Sequence, residues 1–424
     1  MKACEKFLKG IELPSVAKVE QKFSSQKIED VARAVAEGLQ SNSPDIVPGS
    51  RIAITCGSRG IDQYVTLVKA VADFVKSKGA NPVLIPSMGS HGGATAEGQI
   101  GVLKQFGVTE ESIGAPILSS METVQIGETD KGLPVYIDKN AKECDGIILL
   151  NRVKPHTSFR GTYESGLVKM LGIGLAKHKG CEQTHLLRFE NMAENLVKVG
   201  TIAINNLNIM CGVATIENGY GKIAQVHVLK KSEILTKEPE LLKQAWDLMP
   251  RIYLDEMDVL IVSKIGKEIS GTGMDTNIIG RFHTKAAQGS PGPNTIKLGV
   301  LDVTDASNGN ANGMGLADFI PRRFFDKIDF DYSYINSLTS TEPFSSRIPM
   351  ILNNDRQVLQ ACVKLCGQID LSNVRMVLIE STKNIDTVYM SKAAFNSAFP
   401  KDMVKEAGEY SPLKFDEKDN LLLF

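Results

Sequence analysis

Apolar positions along the chain alternate between two rhythms. Arg51–Cys56 (RIAITC) is a short β-rich run, and residues 61–80 (IDQYVTLVKAVADFVKSKGA) carry apolar side chains at helical spacing that stops near Gly79. PVLIP is strand-like again, a second helix is predicted over residues 95–106, and LPVYID and DGIILL add two further apolar runs. A long helix is predicted over residues 189–205, followed by the strand-like IMCGVATI and AQVHVL. Near Asp255 the pattern restarts with MDVLIVSKIG, a Gly- and Ser-rich stretch, the strands KLGVLDV and MVLIES, and the helix NDRQVLQACVKLCG between them. Strands alternating with amphipathic helices predict an α/β chain whose first sheet is largely parallel and covered on both faces.

At 424 residues the chain exceeds what one hydrophobic core usually serves. Two α/β domains are expected: residues 1–252, carrying cofactor and catalysis, and residues 253–424, closing over an interdomain cleft, with the extreme carboxyl terminus returning to the first domain. With 48 basic and 49 acidic side chains the net charge is −1, so nothing global draws the chain to nucleic acid or an anionic membrane. Seven scattered cysteines argue against a disulfide framework. Cys362 and Cys366 read as a buried apolar stripe of one helix, and no Cys-x-x-Cys pair is present for zinc or iron–sulfur binding. No apolar run of membrane-spanning length occurs, and MKACEKFLKGIELPS has no apolar core of signal-peptide length. The expected location is the cytoplasm.

In a parallel sheet the ligand lies beyond the carboxyl ends of the strands, so the polar turns there are compared first. RIAITC is followed by Gly57-Ser58-Arg59-Gly60, PVLIP by Ser87-Met88-Gly89-Ser90-His91-Gly92-Gly93, and DGIILL by Asn151-Arg152-Val153-Lys154-Pro155-His156. Arg59, His91 and His156 are therefore expected in one cleft. The first turn offers backbone N–H groups and a guanidinium to a phosphate, the alternative being a turn with a solvated arginine. Residues 151–185 also hold Lys169, His178 and His185, although the chain has only 6 histidines. Lys169 lies in an apolar helix-like stretch, where loss of hydration lowers an amine's pKa and makes it a nucleophile; the alternative is a lysine reaching to the surface. His185, four residues after Cys181, shares a helix face with it and suits a soft metal, against the bland reading of a structural histidine. His178 and His227 read as solvated and structural. Lys264, Lys267, Arg281, His283 and Lys285 offer positive charge for a carboxylate from the second domain. Neither a G-x-G-x-x-G nor a G-x-x-x-x-G-K-[ST] loop is present, which weighs against ordinary NAD or ATP binding, and no G-x-S-x-G elbow accompanies the histidines.

The ordered set of His91, NRVKPH ending at His156, Lys169 and His185 resembles the lactate racemase family of nickel-pincer-nucleotide-dependent isomerases. The resemblance is clearest from about Arg51 to His185. It implies that Lys169 tethers the nickel-pincer nucleotide (nickel pyridinium-3,5-bisthiocarboxylic acid mononucleotide), that His185 ligates nickel, and that His91 and His156 are the acid–base pair. It also implies that Ser58 and Arg59 help hold the cofactor phosphate, and that cofactor-synthesis proteins are partners. The interval from His156 to Lys169 is longer here than in lactate racemase itself, and Ser165-Gly166-Leu167-Val168 stands where a glycine pair precedes the lysine. Lys177 and Lys179 are the substitute tethers. The activity implied is racemisation or epimerisation of a 2-hydroxy acid by reversible hydride transfer. A metal-dependent hydrolase using the same histidines, and a non-catalytic nucleotide- or metal-binding protein, are the competing readings.

Overall fold

The computed structural model describes residues 2–424 other than Leu187, Gln288 and Ser290, and it divides into two compact units. One is Ser24–Met249; the other joins Met1–Phe23 to Pro250–Phe424.

Ser24–Met249 is built on a five-stranded sheet of β1 (Arg51–Cys56), β2 (Asn81–Pro86), β3 (Gly146–Arg152), β4 (Ile209–Glu217) and β5 (Ile223–Lys230), in the spatial order β2-β1-β3-β4-β5. The first four run parallel and only β5 is antiparallel, so the largely parallel sheet expected from the sequence is present. The apolar runs are buried almost continuously, as strands covered on both faces must be. α1 (Val31–Asn42) starts where the Asp30 carboxylate accepts the Arg33 N–H, and α2 (Tyr64–Ser77) lays Leu67, Val68, Val71 and Val75 into the core. α3 (Ala96–Gln105) follows its Thr95 cap as the pattern predicts. LPVYID is not a strand of this sheet: Pro134–Asp138 pairs antiparallel with Thr123–Glu128 in a separate ribbon. The few residues between it and β3 fall short of the dozen or so that a parallel crossover needs.

The other unit has an eight-stranded sheet. Met350–Leu352, Phe319–Pro321, Asn294–Val303, Glu256–Ile265 and Met376–Ile379 are parallel neighbours in that order; Thr387–Ser391, Val16–Gln21 and Val404–Glu406 continue it antiparallel. The amino-terminal 23 residues, expected with the first domain, thus lie in the second unit, because Val16–Gln21 fills the gap between two carboxyl-terminal strands. The carboxyl terminus also stays in this unit. Asn354 caps the helix Asp355–Leu365, and both Cys362 and Cys366 are buried in its apolar face, as their spacing predicts. Among the described residues no helix is long and apolar enough to cross a membrane.

Candidate active site

Because β1, β2 and β3 are parallel, the turns after them open on one edge of the sheet. Arg59, in the first turn, donates from Nη1 to Ser58 O and Ser58 Oγ at 3.0 and 3.1 Å. Its Nη2 lies 3.4 Å from His91 Nε2 in the second turn. Burial, with the neighbouring Arg152 adding to it, pushes Arg59 down to about 10, so it stays cationic at neutral pH. Arg152, at the end of β3, is itself ion-paired with Glu217. Cation-rich turns at strand ends suit an anionic group.

The third turn is closed by a bridge between Lys154 and Ser165. Within it the His156 N–H donates to Glu164 Oε2 at 2.6 Å, and the imidazole packs on Phe159 with ring centroids 4.4 Å apart. The Ser158 N–H donates to His156 Nδ1 at 3.0 Å, so the proton of the neutral ring is on Nε2. Nε2 is hydrogen-bonded to Lys169 Nζ. With Nδ1 accepting from Ser158, Nε2 can donate to Lys169 when the amine is neutral. The electrostatics agree: burial first, and then the nearby cations, bring Lys169 down to about 7, while burial and Lys169 hold His156 well below the usual histidine range.

The backbone around Lys169 is held by two side chains. Asn151 Nδ2, from the end of β3, donates to Gly166 O at 2.7 Å. Glu238, buried in α6 (Ile234–Leu248; α4 and α5 follow below), accepts the N–H groups of Leu167 and Val168 through one oxygen at 2.9 and 3.0 Å. A side chain at Gly166 would put its Cβ 2.2 Å from the other Glu238 oxygen, so the glycine is required there. Burial pushes the Glu238 carboxyl up to about 8, against the pull of the two N–H groups. After Lys169 the chain makes a π-helical turn, Met170–Gly174, a form that concentrates at functional sites. It then enters α4 (Lys177–His185), which ends at His185 and is followed by α5 (Met192–Asn206). His185 Nδ1 donates to Cys181 O at 2.7 Å, which places the lone pair on Nε2, the form in which a histidine binds metal. Burial brings His185 down to about 4, so it is neutral at physiological pH.

Of the expected residues, Arg59 touches His91 and Lys169 touches His156, while His185 ends the helix that follows the Lys169 turn. The substitute tethers do not fit. Lys177 is completely buried in an ion pair with Asp138, and Lys179 lies over the Tyr136 ring at 4.2 Å. His178 takes no part in any of these bonds, and His227 is bonded to Gln225 within β5. In the other unit, Arg281 donates to the carbonyls of Thr295 and Leu316 at 3.0 and 2.9 Å and pairs with Asp318, a structural use that removes it from the substrate candidates. Glu238, Glu164 and Gln99 were not legible as site residues: each acts on backbone, and no motif marks such a role. A surface recess of about 650 Å³ lined by Asn42, Met210 and Lys230 lies at the opposite edge of the sheet and includes none of the site residues.

Among the described residues no three His, Cys, Asp or Glu side chains group as a metal site. His185 offers one oriented lone pair to a metal.

Comparison with known proteins gives one family: residues 15–196 match the lactate racemase N-terminal domain. No curated protein sequence matches the chain. Among solved structures, the lactate racemase apoprotein from Thermoanaerobacterium thermosaccharolyticum is 14% identical with a TM-score of 0.45, over 87% of this chain and 89% of that one. A Thermotoga maritima protein is 13% identical with a TM-score of 0.45, over 64% and 70%.

Proposed function

The chain belongs to the lactate racemase family by the N-terminal domain that residues 15–196 carry, and from that premise we propose that it racemises or epimerises a 2-hydroxy acid with a nickel-pincer nucleotide joined to Lys169. The observation that carries this reading is the half-buried Lys169 amine hydrogen-bonded to His156, with its pKa brought down to about 7. A lysine in that form is a nucleophile ready for covalent attachment. His185 would supply Nε2 to nickel, and Ser58 and Arg59 would hold the phosphate.

Removing the C2 proton of a 2-hydroxy acid is hard, because the carbanion is poorly stabilised, whereas loss of hydride leaves a stable ketone. The nucleotide would supply a hydride acceptor there. The chain's own residues move the hydroxyl proton. His156, kept neutral by burial, and His91, placed beside Arg59, are the acid–base pair; for His156 to accept a proton its Nδ1 must first release the Ser158 N–H. Two bases serve the two hydroxyl positions of the enantiomers, and each contributes about 10²–10⁴-fold. Phe159 against His156 helps exclude water from the proton path.

Protein co-expressed with the cofactor-synthesis proteins should hold nickel near one per chain, carry an added mass on the Lys169 peptide, and interconvert enantiomers of at least one short-chain, aromatic, dicarboxylic or sugar-derived 2-hydroxy acid. An adduct that persists in Lys169→Ala would overturn the tether, and nickel-loaded protein inert on every acid would overturn the activity.

A further inference from the structure

Lys177 and Asp138 are fully buried, each with no exposed side-chain surface. Burial works against both charges, and the ammonium is held by the carboxylate together with two hydrogen bonds of its own. Lys177 Nζ lies 3.1 Å from Asp138 Oδ2 and donates to Pro86 O at 2.6 Å and to Gln99 Oε1 at 2.9 Å. The bond to Oε1 fixes which way the buried Gln99 amide points. Its NH₂ end donates to Gly89 O at 2.9 Å and reaches His91 O at 3.4 Å. Lys177 is also a non-glycine residue at φ +54°, a strained backbone that the surrounding structure must hold in place, and it is the first residue of the helix that ends at His185. The turn it supports is docked on the same segment a second time, through the Gly89 N–H to Gly174 O at 3.1 Å.

We propose that Lys177 and Gln99 are positioning residues that set the place of His91 relative to the Lys169–His185 segment. Lys177 orients the Gln99 amide, and the amide holds the carbonyls on either side of the His91 turn. A lysine that only filled a buried site would need one carboxylate. This one reaches through a side chain with an oriented amide to the backbone of another loop. The consequence for catalysis rests on the reading of His91 as an acid–base group; the mechanical part does not.

Gln99→Met keeps length and volume and loses both bonds to the turn. In the cofactor-free protein, amide hydrogen exchange over residues 87–95 should rise about tenfold or more while α2 and α5 exchange as before. In the loaded enzyme kcat should fall by up to about 10²-fold, the cost of misplacing a reacting group by about an ångström. KM, nickel content and the Lys169 adduct should be unchanged. Because Lys177→Met alone strands Asp138 and can unfold the unit, the paired variant Lys177→Met/Asp138→Asn is the second probe, and it should reproduce both effects. Exchange over residues 87–95 that is unaltered in both variants, or that rises evenly across Ser24–Met249, overturns the proposal. Localised exchange with no racemisation by the wild type on any acid would leave the positioning intact and sink the racemase reading instead.

Discussion

Lys169, half-buried, and Lys177, fully buried, lie on one continuous segment and have opposite chemistry. Lys177 sits against Asp138, a glutamine oxygen and a carbonyl, and works as a strut between loops. Lys169 faces the His156 imidazole, and burial, with Arg59 and Lys154 adding positive charge, brings its pKa down to about 7. Burial lowers the charge of any amine. What decides between a reactive and a structural lysine is whether a carboxylate and acceptors are supplied at the same depth.

The comparison is broken most severely at Lys169. Lys169→Ala should reduce racemisation to background and remove the added mass, whereas the fold, read by circular dichroism, should be retained. Retained activity would mean that the two lysines have been assigned the wrong way round.

His91→Ala and His156→Ala should each lower kcat by about 10²–10⁴-fold with nickel still bound. Measured from each enantiomer separately, the two variants should differ in which direction suffers more. Equal loss in both directions would remove the division of labour between them.

Lys177→Met should cost about 3–5 kcal/mol in denaturant unfolding, because it leaves the Asp138 carboxylate buried and unpaired. Adding Asp138→Asn should recover most of that loss. A single variant as stable as the wild type would show that the pair carries no weight.

The pH dependence of labelling is a finer test. A lysine whose pKa is depressed to about 7 is mostly neutral above that pH and mostly ammonium below it. Acylation of Lys169 in the cofactor-free protein should therefore level off above about pH 7.5 and fall roughly tenfold per unit well below 7. Lys177, in its ion pair, should stay unlabelled throughout. The same depressed value means that folding loses stability as pH falls from the ordinary lysine range toward 7, since only the unfolded chain then takes up the proton. The smallest effect is expected at His178, where alanine should change kcat by less than about twofold, in the range of ordinary surface substitutions.

Much of the site was legible because parallel strands put their following turns on one edge. Arg59, His91 and His156 could be placed together from the periodicity of RIAITC, PVLIP and DGIILL alone. The family resemblance then joined Lys169 and His185 to them. LPVYID misled, since an apolar alternating run looks the same in an antiparallel ribbon and in a central sheet. Val16–Gln21 gave no sign of its sheet, because its partners lie far along the chain.

The sequence by itself determined the strand and helix rhythm, the carboxyl-edge turns and the identity of the chemical groups, all set by local spacing and residue type. Only the tertiary structure showed which lysine is paired with a buried carboxylate. Ionisation depends on the groups that surround a side chain in space, and those around Lys169 and Lys177, from Arg59 and Gln99 to Asp138 and His156, come from separate stretches of the chain.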